Sequence, residues 1–111
     1  MQIGGSVNKR TKALQIPKAV KEKVAERDTV YDYPACVICG QPGFPHCHFV
    51  AKSQGGLGIE QNIVTLCDSC HYAYDNTEQR PILRILIQEY LEEKYPDWDE
   101  TELYYKKGAE I

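Results

Sequence analysis

Two Cys-x-x-Cys pairs, Cys36 with Cys39 and Cys67 with Cys70, enclose His46, Cys47, His48 and Asn62, and His71 follows the second pair directly. A tetrahedral structural zinc takes four thiolates. Each Cys-x-x-Cys turn delivers two of them with backbone amides directed at the sulfurs, so two turns complete a closed shell. The 27 residues between the pairs exceed the roughly 15 to 20 of a zinc ribbon. An insertion between the knuckles is therefore expected, and that is where the histidines lie. The thiols have two competing uses. A redox pair belongs in a βαβ pattern, which surrounds neither pair, and disulfides belong to secreted chains.

The nitrogen and oxygen groups suit a second, different ion. His71 and Asp75 are four residues apart, so on a helix beginning near Ser69 to His71 they share a face and can chelate one cation. An imidazole with a carboxylate suits a divalent ion that keeps open positions for water and substrate. His48 precedes the Gly55-Gly56-Leu57-Gly58 loop. A neutral imidazole there can take a proton from an attacking water. Phosphodiester hydrolysis needs both jobs, charge stabilisation at the phosphate and activation of the nucleophile. Asn62 cannot titrate, but its amide both donates and accepts and can pin the loop that carries His48. Other readings stay open. Cys47 is either a ligand or a small buried apolar residue, and Asp75-Asn76 is either ligand-bearing or helix-stop chemistry. His46 shares a strand face with His48 and is a further candidate ligand.

These groups need a scaffold, and 111 residues allow one domain whose central stretch has too few large aliphatics to fold on apolar burial alone. Residues 1–15, without apolar periodicity, read as a flexible basic arm. Residues 16–76 read as a lead-in helix plus the cysteine-bracketed core, and 77–111 as a helical extension packed on it. Pro17 suits the start of a helix over 17–27, with Ile16, Val20 and Val24 as its apolar stripe. Tyr31 to Pro34 leads into the first knuckle, and Gly40 to Pro45 reads as turn and loop. Phe49-Val50 and Ile63 to Leu66 suggest two short strands either side of the glycine loop. A helix carrying Tyr72 to Tyr74 should break near Asn76 and Thr77. Pro81 then opens a strongly apolar helix from Ile82 to Leu91, whose breadth implies burial, against the core or at a homodimer seam. Pro96 ends it, and Asp99 with Glu102 resembles a capping box.

Charge is uneven along the chain. The net charge is -3, yet residues 1–27 hold Lys9, Arg10, Lys12, Lys18, Lys21, Lys23 and Arg27 against Glu22 and Glu26. Such an arm is either a solvated face or a phosphate contact. Lys9, Arg10, Lys12 and Lys52 are the candidate DNA-binding residues. An odd cysteine count, no leader-like apolar segment and no run near 18 apolar residues argue against secretion and membrane insertion.

The run Cys36-Val-Ile-Cys39, Cys47-His48-Phe49-Val50, Gly55-Gly56 and Asn62 to His71 resembles the HNH endonuclease family, specifically phage-type members with a four-cysteine zinc knuckle. The resemblance covers about residues 30–76. It implies an α+β fold with a ββα-metal, treble-clef-like core stabilised by structural zinc on Cys36, Cys39, Cys67 and Cys70, with flanking helices. It also implies a metal-dependent nuclease that nicks or cuts DNA. Carried over by position, His48 matches the general base and Asn62 the loop-bracing residue of the catalytic pair. His71 matches a catalytic-metal ligand, and Asp75 a position where some members supply another. The residue before the general base is usually Asp or His in that family, and here it is Cys47. A thiolate suits softer ions and is a poor partner for magnesium, so Mg, Mn, Ni, Co and Zn all stay open as the catalytic ion. The implied setting is the cytoplasm of a bacterial host, as monomer or homodimer, with phage packaging proteins as further partners. The competing reading is a non-catalytic zinc-stabilised DNA-binding or packaging-accessory protein.

Overall fold

The cysteine-bracketed insertion folds as two antiparallel strands, a helix follows from the second cysteine pair, and the remaining described residues flank this unit. The structure is a computed structural model describing residues 8–106. Helices α1 (Lys9–Leu14) and α2 (Lys18–Arg27) lead into a two-residue hairpin, β1 (Thr29–Val30) and β2 (Tyr33–Pro34). Strand β3 (Phe44–His48) pairs with β4 (Ile63–Leu66), then α3 (Asp68–Asn76) and α4 (Arg80–Lys94) follow. Short 3₁₀ turns occupy Lys52–Gln54, Glu60–Asn62 and Glu100–Leu103. This is the expected mixed architecture, short antiparallel strands with helices around a four-cysteine cluster.

Three local expectations need correction. Lys9–Leu14, expected within a flexible arm, form a helix, because Asn8 caps it by accepting from Thr11 N at 2.7 Å and Leu14 buries its side chain. The arm's residues 1–7 lie outside the described residues. Second, β3 runs over Phe44–His48, so Phe44 and Pro45 belong to a strand instead of the preceding loop, and Phe49 and Val50, expected in the strand, lie just beyond its end. Pro45 has no N–H to give a ladder, and the register shifts between Phe44 and Cys47, where the pairing absorbs it. Third, the apolar stripe of α4 is not all packed. Ile87 and Leu91 are buried, but Ile82, Ile85 and Leu86 are 66%, 57% and 44% exposed. The domain covers only one side of this helix, and breadth of apolar pattern does not say which side.

The core gathers residues from Cys36 to Leu103. Phe49, Val50, Val64 and Leu66 of the insertion and Tyr74 of α3 pack with Ile87 and Leu91 of α4 and with Leu103. Tyr74 buries its ring and donates its hydroxyl proton to Phe49 O at 2.7 Å, which ties α3 to the end of β3. Trp98 packs edge-on to Phe49 with ring centroids 5.5 Å apart, and donates from Nε1 to Gln61 O at 2.8 Å. Asp99 caps the last turn by accepting from Thr101 N.

A charged pair locks α2 to this core. The buried Asp28 carboxylate accepts from Arg27 Nε at 2.7 Å, Arg27 Nη2 at 3.0 Å, Thr65 N at 3.0 Å and the Tyr90 hydroxyl. Arg27 also donates to Glu60 O and Ile63 O, at 2.9 and 2.8 Å. Arg27 therefore leaves the basic surface on which its position in the sequence had placed it. Removing one partner of such a pair strands the other charge, typically at a cost of about 3–5 kcal/mol. Asp28→Ala is expected to lose about that much in urea unfolding of the zinc-loaded protein, and a loss below about 1 kcal/mol, as for exposed pairs, would count against this account.

Candidate metal centres and active site

The four knuckle cysteines meet at one point. Ligand atoms of Cys36, Cys39, Cys67 and Cys70 all lie within 4.8 Å of one another. Cys39 Sγ and Cys67 Sγ are 3.6 Å apart, and a tetrahedral site with Zn–S near 2.3 Å has S···S edges of about 3.8 Å. Each turn aims an amide at sulfur, Cys39 N to Cys36 Sγ and Cys70 N to Cys67 Sγ, both at 3.5 Å. Such bonds favour the thiolate form that metal binding requires. All five cysteines are free of disulfides. The donor set and its spacing fit a closed structural zinc site.

A second cluster joins Cys47, His71 and Asp75, again with ligand atoms within 4.8 Å. Helix α3 supplies two of them from one face, and His71 Nε2 is 3.1 Å from Asp75 Oδ2. Strand β3 supplies Cys47 from below. Its side chain is fully buried, and burial, with the Asp75 carboxylate adding to it, pushes the thiol's pKa far above its ordinary value. Without a cation Cys47 is therefore a neutral thiol within the apolar core, and with one its sulfur lies within reach. An imidazole, a carboxylate and a thiol fit a borderline-soft divalent ion better than magnesium. His46 faces the same cleft but stands outside this group of three, stacked on Phe44 with ring centroids 5.9 Å apart.

His48 occupies the next position on the His46 face of β3, half-buried. It lines the cleft of about 720 Å³ that also holds His46, His71 and Asp75. Its Nε2 lies 2.8 Å from Leu14 O. Burial lowers its pKa, the Leu14 carbonyl opposes that, and Lys52 adds to it, for a net shift below the ordinary imidazole value. The ring is then neutral at neutral pH. Asn62, fully buried, accepts from Val50 N at 2.7 Å and donates to Val50 O and Leu57 O at 3.2 and 2.8 Å. It thus ties both ends of the connection between β3 and the glycine run. Gly56 sits where the chain doubles back, with Val50 O only 1.7 Å from where a β-carbon would stand.

The cleft's cations are only partly those expected. Lys52 lines it, whereas Lys9 and Lys12 are exposed on α1 and Arg10 reaches toward Gly55. Lys21 and Arg80 line it as well. No motif in the sequence singled out Arg80. It donates to Tyr74 O at 3.0 Å, lies 4.0 Å over the Tyr74 ring, and is 3.6 Å from Asp75 Oδ1. One signal was present in the sequence, since a cation in the first turn opposes the helix macrodipole and needs another reason to be there.

Residues 36–77 match the family model described as HNH endonuclease. No curated protein and no solved structure matches the chain. The matched segment holds both ligand clusters, His48 and Asn62, and over those residues the chain is similar to the HNH endonuclease family.

Proposed function

We propose that this protein is a metal-dependent endonuclease hydrolysing DNA phosphodiester bonds, with His48 as general base. The observation that carries the reading is the shared cleft, which sets a neutral imidazole beside the Cys47–His71–Asp75 group among Lys21, Lys52 and Arg80. His71 and Asp75, with Cys47 beneath, would hold one divalent cation. When bound, that cation supplies charge stabilisation at the phosphate and leaving oxygen. The chain's own residues do the rest. His48 accepts the proton of the attacking water. Asn62 fixes the loop behind it as a positioning residue. Lys21, Lys52 and Arg80 offer positive charge to the phosphates, while Arg80 also steadies Asp75.

Plasmid cleavage tests this directly. Supercoiled DNA incubated with zinc-loaded protein and Mg, Mn, Ni, Co or Zn is expected to become nicked or linear, with the softer ions outperforming Mg because of Cys47. No cleavage with any ion, alongside retained DNA binding, would overturn the proposal. That outcome is the second reading, a zinc-stabilised DNA-binding protein, and the burial of Cys47 as a neutral thiol is the observation that favours it. Binding through phosphates is expected to weaken steeply with salt. Lys52→Ala should reduce the slope of log K against log salt by about 1, read by fluorescence anisotropy, and an unchanged slope would remove Lys52 from the interface.

A further inference from the structure

We infer that the main-chain carbonyl of Leu14, on a segment outside the HNH-matched residues, is the group that positions His48, and that both chain extensions clasp the glycine loop to keep it there. The inference rests on the nuclease reading for its catalytic meaning. Its geometry stands separately.

A carbonyl oxygen can only accept, so His48 Nε2, 2.8 Å from Leu14 O, must carry the proton. The other nitrogen, Nδ1, is then left with the lone pair that a base requires. Leu14 can hold that carbonyl still because it ends α1 with its side chain 3% exposed. The chain next to it is bonded to the loop itself, with Gly58 N donating to Ala13 O at 3.0 Å. A β-carbon on Gly58 would stand 1.8 Å from Gln15 O, so the lead-in segment crosses the loop in direct backbone contact.

The C-terminal extension grips the same loop from another side. Leu57 N donates to Leu103 O at 2.9 Å, Tyr105 N donates to Gly55 O at 2.8 Å, and Gly56 bridges to Tyr104. Asn62 ties the base of the loop through Val50 and Leu57. Segments 34 residues before His48 and more than 50 after it therefore converge on the few residues that follow the base. Isolating residues 36–77 would leave His48 without its acceptor.

Imidazole NMR on the full-length, zinc-loaded protein, compared with Leu14→Ala and Gly58→Ala, tests this. In wild type, His48 is expected to be protonated on Nε2 with a slowly exchanging, observable proton. In both variants that proton should exchange too fast to observe, and plasmid cleavage should fall on the order of tenfold in kcat with KM unchanged. If Gly58→Ala does not fold, Leu14→Ala, which only shortens a side chain, carries the comparison. Protonation of His48 on Nδ1 in wild type overturns the inference. So does an Nε2 proton that persists after the α1 amides have lost their exchange protection. The spectra need neither DNA nor a second ion, so the two readings fail separately. Wild-type cleavage with Nδ1 protonated sinks only this inference. The expected spectra without any cleavage sink the nuclease reading and leave the positioning bond established.

Discussion

Cys67→Ser is expected to abolish zinc binding and unfold the domain at room temperature. Cys67 does two jobs, as one of four clustered sulfurs and as the N-cap of α3, where its Sγ accepts from Cys70 N. Serine is itself a good N-cap, so the substitution keeps the second job and removes the first. Metal binding to a structural four-ligand site is worth apparent values of about 10–16 kcal/mol, against a total stability of roughly 5–15 kcal/mol for an ordinary domain. The side chains nearest the knuckle explain the dependence. Val37 and Ile38 are only partly buried, and the apolar core reaches the knuckle through Cys36 and Leu66. Zinc stoichiometry and far-UV circular dichroism read the outcome. A variant that melts cooperatively at the wild-type temperature would show that apolar packing, not the metal, holds the fold. Wild-type protein treated with a strong chelator should reach the same unfolded end point.

His48→Ala is expected to lower the cleavage rate by about 10²–10⁴, with zinc content unchanged. The ring is half-exposed in the cleft, and the hydrogen bond it makes to Leu14 O is worth only about 0.5–1.5 kcal/mol net. The melting temperature should therefore move by a few degrees at most. Affinity for DNA at fixed salt should also hold, because Lys21, Lys52 and Arg80 remain in the cleft. Cleavage at the wild-type rate would remove His48 from the mechanism. Unfolding of the variant would instead make the ring a structural element, and retained zinc with a native spectrum is the control that separates the two.

Legibility of the site followed the range of the interactions that build it. His71 and Asp75 could be paired in advance because one helical turn brings residues four apart onto one face, and the structure places them 3.1 Å apart. The two Cys-x-x-Cys turns were readable for the same reason. Cys47 was singled out by position alone, and its dual character needed the structure, since full burial makes it core and proximity to His71 and Asp75 makes it a potential ligand. Arg80 was missed because its nearest partners, Tyr74 and Asp75, lie across the break between α3 and α4. Arg27 was counted as surface charge because its partner Asp28 adjoins it in sequence, and only the arrival of Tyr90, Tyr95 and β4 buries the pair.

The helices outside the bracket show the same division. Pattern predicted α2 and α4 nearly to their ends, since proline and apolar spacing are local signals. It did not predict that α4 would leave Ile82, Ile85 and Leu86 exposed, or that Lys9–Leu14 would be helical at all. By itself the sequence determined the chemistry available: four sulfurs suited to a closed metal site, an imidazole–carboxylate pair able to chelate a cation, and a histidine ahead of a glycine loop. Only the tertiary structure decided that Leu14 holds that histidine, that both extensions clasp its loop, and that Arg80 faces the cleft. Those contacts join residues far apart in the chain, where closure of the whole fold sets the distances and no periodicity in the sequence records them.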